Sequence, residues 1–111
     1  MFWVFGFNVK ENRADDFRKW LASDNVRKLI ADIEKETGVR YLDTYWSIMG
    51  FGKFDCEDWW EVPNWAAFDK WHQSKAAGRL WSEVLEFAEF RPFRARMLRG
   101  SKDVKTVSPD S

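Results

Sequence analysis

Residues 2–9, FWVFGFNV, are apolar at odd and even positions alike, apart from Gly6 and Asn8. A strand buried on both faces has this pattern. Asn12 then offers a helix N-cap, with Asp15 and Asp16 in the first turn, where acids meet the positive end of the helix dipole. The helical pattern continues through FRKWLASDNVRKLIADIEKE and stops at Gly38, a residue suited to the left-handed turn past a helix end. VRYLDTYWSIM reads as the second strand, Gly50 and Gly52 as a turn, and FDCEDWWEV as the third strand, ended by Pro63. Asn64 caps a second helical stretch that reaches about Phe90, and Pro92 separates it from a last strand, FRARMLR. The order is βαββαβ, the ferredoxin-like split βαβ arrangement, an α+β fold with an antiparallel sheet and helices on one face. Residues 1–100 form one domain, and 101–111 a polar tail.

Phase refines the helices. At about 100° per residue, Ala14, Phe17, Trp20 and Leu21 share one side of the first helical region, while Ala22, Val26, Leu29, Ile30 and Ile33 lie nearly opposite. One straight helix cannot turn both sets toward one sheet, so a break near Ser23 is expected, with Ser23 capping the second piece. The second region repeats this: Trp65, Phe68 and Trp71 point one way, and Ala77, Leu80, Trp81, Val84 and Leu85 another, with Ser74 at the break. The two regions align without gaps at an offset of 51, FRKWLASDNVRKLIADI on FDKWHQSKAAGRLWSEV, with five identities in 17 positions. Trp20 and Trp71 are twins in this alignment. The chain reads as a duplicated βαβ half, and packing is the first reading of Trp71.

Composition narrows the function classes. The 111 residues are 45% hydrophobic and 32% charged, ordinary for a globular domain, but 18% aromatic. Lys plus Arg equals Asp plus Glu, 18 each, so no basic excess suggests a nucleic-acid partner. No apolar run approaches the roughly 20 residues of a membrane span, and the start of the chain reads as a strand, not a signal peptide. A single cysteine cannot form an internal disulfide, which fits a cytoplasmic location. No metal-ligand spacing, phosphate-binding glycine loop or nucleophile elbow is present.

The segments FNVKEN and WWEVPNWAAFDKWHQSKAAGRLW resemble the dimeric α/β-barrel superfamily, nearest the antibiotic-biosynthesis monooxygenase and haem-degrading monooxygenase branch. The carrying features are a strand ending in Trp60-Glu61, a short helix with Phe68 and Trp71, and Ser74 opening a longer helix. The resemblance implies a homodimer whose sheets pack face to face. Haem-degrading members carry an Asn on the first strand, a Trp on the second helix and a His further along. Asn8 and Trp71 match the first two, but the third position is Trp81 and His72 does not align. An indole cannot replace an axial imidazole, so haem is disfavoured and no cofactor or metal is expected.

Candidate residues follow. Asn8 is placed to orient a substrate oxygen, and His72 or Asp43 to move protons. Trp71, Trp81, Phe68 and Tyr45 are the ligand-binding candidates, suited to an aromatic small molecule. Asp43, Tyr41 and Tyr45 are read on one face of the second strand, where Tyr beside Asp can activate a phenol. Asp55, Glu57 and Glu61 are read as rim acids paired with Arg94 or Arg96, and Cys56 as a buried small hydrophobe. Three functions stay open: a cofactor-independent monooxygenase, cyclase or isomerase; a binding or stress-related dimer without turnover; and a haem-binding protein. A polar group beside the tryptophans favours the first over the second.

Overall fold

The computed structural model describes residues 1–50 and 52–101. Eight elements follow in order: β1 (Phe2–Val9), α1 (Ala14–Leu21), α2 (Asp24–Thr37), β2 (Arg40–Trp46), β3 (Cys56–Glu61), α3 (Trp65–Gln73), α4 (Lys75–Val84) and β4 (Ala88–Leu98). The strands form one antiparallel sheet in the order β2-β3-β1-β4, with the four helices on one face. No helix among the described residues is long and apolar enough to cross a membrane.

Both helical regions break where the apolar phase jumps. Ser23 separates α1 from α2, and its Oγ accepts from the Val26 N–H at 3.3 Å. Ser74 separates α3 from α4 and accepts from the Ala77 N–H at 3.1 Å. Asn64 caps α3 through the Ala67 N–H at 2.8 Å, and Gly38 closes α2 at φ 81°. Each break lets a short helix and a longer one turn their own apolar stripes onto the same sheet. Under them lies one core that includes Trp3, Phe5, Phe7, Phe17, Ile33 and Trp60.

Three local expectations are corrected. Asn12 does not cap α1. It sits at φ 63° in the preceding turn, a conformation its short polar side chain tolerates, and Arg13 takes the cap position without a side-chain bond. The second helical region ends at Val84, not near Phe90, because Phe87 and Ala88 leave the helix to enter the core. Pro92 does not precede the last strand; β4 runs through it. β4 is an edge strand whose pairing with β1 shifts register between Phe7 and Val9, and an edge tolerates a residue without an N–H. The expected tail falls almost wholly outside the described residues.

The sheet face away from the helices is mixed. Arg96 pairs with Glu57 at 2.9 Å, as expected, whereas Glu61 pairs with Arg40 at 3.0 Å instead of Arg94 or Arg96; such exposed pairs contribute at most about 1 kcal/mol each. Between them lie Phe2 and Trp59, with ring centroids 5.8 Å apart, and Tyr45 against Trp59 at 6.1 Å. Phe54 folds over Gly6, where any side chain would collide with it at 2.5 Å.

Candidate functional site

The break at Ser74 swings α4 so that Ser74, Ala77, Gly78 and Trp81, spaced three and four apart, form one stripe facing the sheet edge. Opposite stand Trp3 and Phe5 of β1 and Phe93 and Ala95 of β4. Between these walls, closed at one end by Trp71 and His72, lies a cavity of about 350 Å³. Its lining rings hold one another: Trp3 meets Trp71 edge-on at 5.2 Å, Phe5 meets Trp81 at 5.9 Å, and Trp81 meets Phe93 at 5.1 Å. Such a wall suits a flat apolar ring system.

His72 stands at the rim, stacked on Trp3 at 5.7 Å. Its Nδ1 lies 2.9 Å from the Phe68 carbonyl oxygen, which can only accept, so Nδ1 carries the proton and Nε2 keeps the lone pair in the neutral ring. The Ser74 hydroxyl is engaged: it donates to Glu36 Oε2 at 2.5 Å and caps α4.

A second, smaller chamber of about 30 Å³ lies beside it and shares Phe5, Trp71, Ala77 and Trp81 with the main cavity. Asp58 forms part of its wall, among Trp60, Leu80 and Val84. Strand alternation puts Asp58 on the helix side of β3, between Cys56 and Trp60 and opposite Phe5 and Thr44. Thr44 Oγ1 donates to Asp58 Oδ1 at 2.7 Å, and the Tyr41 hydroxyl in turn bonds Thr44 Oγ1. Asp58 Oδ2 has no protein partner among the described residues. Burial raises the Asp58 carboxyl to about 7; the Thr44 hydroxyl opposes this and the Asp43 charge adds to it. The group therefore changes charge near neutrality, as an acid–base catalyst must. Burial also raises Tyr41 above its ordinary value, so it stays a neutral donor. The Cys56 thiol is pushed up to about 12 by burial and by the Asp58 and Asp55 charges, which leaves it inert.

The structure brings His72, Trp71 and Trp81 to the cavity. Phe68 stands just behind, its ring 4.6 Å from both Trp3 and His72. Asn8 lies elsewhere: its Oδ1 accepts from the Asp55 N–H at 3.0 Å, fastening the end of the sheet where β3 begins. Asp43 and Tyr45 lie on the open sheet face, with Tyr45 53% exposed. The shared face read for Tyr41, Asp43 and Tyr45 does not form. The β2–β3 pairing shifts between Tyr41 and Asp43, and this irregularity turns Tyr41 and Thr44 inward while Asp43 and Tyr45 face out. Asp58 was missed as a site residue. Its signal was available: a carboxylate in phase with Cys56 and Trp60, both core residues.

No family model matches the chain, and no curated protein sequence matches it. Solved structures do. The chain is similar to HapK from Hahella chejuensis, at 17% identity and a TM-score of 0.64 over 91% of this chain and 95% of that one. It is similar to Rv0793 from Mycobacterium tuberculosis, at 18% identity and 0.62 over 89% and 92%. It also resembles a dimeric protein of unknown function and ferredoxin-like fold from Bacteroides fragilis, at 9% identity and 0.57 over 87% and 94%. At these identities the likeness concerns the backbone: the chain has the ferredoxin-like α+β fold.

Proposed function

We propose that the chain is a homodimeric, cytoplasmic protein that takes a flat aromatic small molecule into the cavity beside α4 and turns it over without a cofactor, as a monooxygenase, cyclase or isomerase. The observation that carries this reading is a titratable carboxyl group in the wall of a small chamber that shares Phe5, Trp71, Ala77 and Trp81 with the aromatic cavity. A pocket meant only for binding has no use for a buried acid there, since burial of a carboxyl costs stability. Dimerisation is assigned to the open sheet face, where Phe2, Trp59, Tyr45 and Phe54 lie among ion pairs, and the Bacteroides fragilis neighbour is described as dimeric. Haem fits this cavity poorly. The tryptophan that stands where the resemblance wants an axial ligand donates an N–H and offers iron no lone pair.

Titration of the intrinsic tryptophan fluorescence with 2-naphthol tests the pocket. Wild type quenches saturably. Gly78→Leu sets a side chain on the cavity-lining stripe of α4, where a Cβ meets nothing within 4 Å. It therefore loses most of the affinity while keeping its circular dichroism. Equal binding by both proteins would remove this cavity as the site.

A further inference from the structure

We infer that Asp58 is the proton-transfer residue of this site, and that its substrate is a flat, conjugated ketone with an acidic C–H beside the carbonyl, which the protein tautomerises. The inference rests on the pocket reading above and chooses among the reaction classes named there. Isomerisation is the choice because one positioned proton-transfer residue suffices for it.

The geometry has three parts. Asp58 reaches the cavity system through a chamber of about 30 Å³. That is room for a water-sized group, roughly one edge of a ring. The chamber and the main cavity share two tryptophan walls, Trp71 and Trp81, and the smallest shared side chain is Ala77. A planar substrate lying between the indoles thus presents its edge to the carboxyl. One carboxyl oxygen is held, Oδ1 by Thr44 at 2.7 Å, and the other has no partner among the described residues. Holding one oxygen fixes the direction of the second, which is what a general base requires. Thr44 is itself oriented by the Tyr41 hydroxyl. Thr44 bonds Asp58, Tyr41 bonds Thr44, and neither lines the cavity, so they are positioning residues.

The step is as follows. Oδ2 of the ionised carboxylate takes the proton from the C–H beside the carbonyl. The C–H pair becomes a C=C bond, the carbonyl π pair moves to oxygen, and Asp58 becomes the neutral acid. A proton then returns from the Asp58 carboxyl, either the one taken or one exchanged with solvent, to the same or another carbon of the conjugated system, which re-forms the carbonyl and the carboxylate. No net electrons or atoms enter or leave.

Hydrogen–deuterium exchange of 2-tetralone in deuterated buffer, followed by proton NMR, separates the two claims, because binding is read independently from tryptophan quenching. Wild type is expected to bind 2-tetralone and to speed exchange at C1 about 100-fold or more over buffer. Asp58→Asn keeps the binding and returns exchange to the buffer rate. Thr44→Val keeps binding, slows exchange and moves the pH midpoint upward from about 7, because the lost hydroxyl bond had favoured the charged carboxylate. The titratable groups that bear on Asp58 are Asp43, Tyr41 and Cys56; β1, α3 and α4 turn only apolar side chains toward it. Binding without faster exchange, or exchange retained by Asp58→Asn, overturns the proton-transfer role while leaving the pocket. Absence of both binding and exchange overturns the two together.

Discussion

The Phe17–Trp20 corner and the Phe68–Trp71 corner occupy the same place in the two halves of the repeat, and only the first is sealed. Phe17 has no exposed surface and lies within 5.8 Å of the rings of Phe7, Trp20, Trp46 and Phe87. The Trp20 indole N–H donates to Glu83 Oε1 at 3.0 Å. Trp71 packs on Trp3 and Trp60, and also bounds open space. The repeat offset of 51 shows where the space comes from. Val26, 1% exposed, is replaced by Ala77; Arg27 by Gly78; and Phe7, which plugs the first corner, by Asp58. Each substitution removes volume. The same scaffold thus holds a plug in one half and a cavity with an acid in the adjoining chamber in the other.

Truncation should separate the corners most sharply. Phe17→Ala leaves a void among four rings and is expected to cost about 3–5 kcal/mol. Phe68→Ala, next to existing space and already half-buried, should cost less than half of that. Urea denaturation of both variants measures the difference, and equal losses would mean that the second corner is as tightly filled as the first.

Asp58 gives the next largest effect, and it depends on pH. Its carboxyl rises from an unfolded value of 3.8 to about 7 on folding, so the folded state binds the proton more tightly. The stability this gives is complete below the unfolded value and is lost as pH rises through the folded one. Asp58→Asn mimics the protonated form. It should raise stability by a few kcal/mol at pH 8, at about 1.4 kcal/mol for each unit of displacement, and by little at pH 3.5. Thermal melts at the two pH values check this; equal effects at both would place the carboxyl in contact with water.

The smallest effect belongs to Gly78. Glycine inside a helix is less stable than alanine by about 0.5–1 kcal/mol. No contact explains its presence, since an added Cβ would meet nothing within 4 Å. Gly78→Ala should therefore stabilise the fold and weaken 2-naphthol binding. A variant that is more stable and binds as well as wild type would separate Gly78 from the cavity.

The helix breaks were legible because phase is a property of spacing alone: no assumption about the sheet was needed to see that Trp20 and Val26 diverge. The βαββαβ order was legible separately, in the strand patterns and the turn residues between them. The corrections share another origin. Whether Pro92 can lie in a strand depends on that strand being an edge, and the facing of Tyr41 against Asp43 depends on one register irregularity; both are set by neighbours distant in sequence. Asp58 was visible as an inward acid, yet three other acids on the same strand drew attention by grouping on its outer side. Ala77 and Gly78 carried no signal until their twins Val26 and Arg27 were compared in place.

Glu83 and Ser74 stand near opposite ends of α4. Glu83 takes hydrogen bonds from Trp20 and Asn25, while Ser74 donates to Glu36 of α2. The helix that roofs the cavity is therefore latched at both ends to the other half of the repeat. No side chain of α3 makes such a bond to another element among the described residues. Should the cavity take a ligand, α3, which lacks such bonds among the described residues, is expected to move more readily than α4. Amide hydrogens should exchange sooner in α3 than in α4, and bound ligand should slow α3 most.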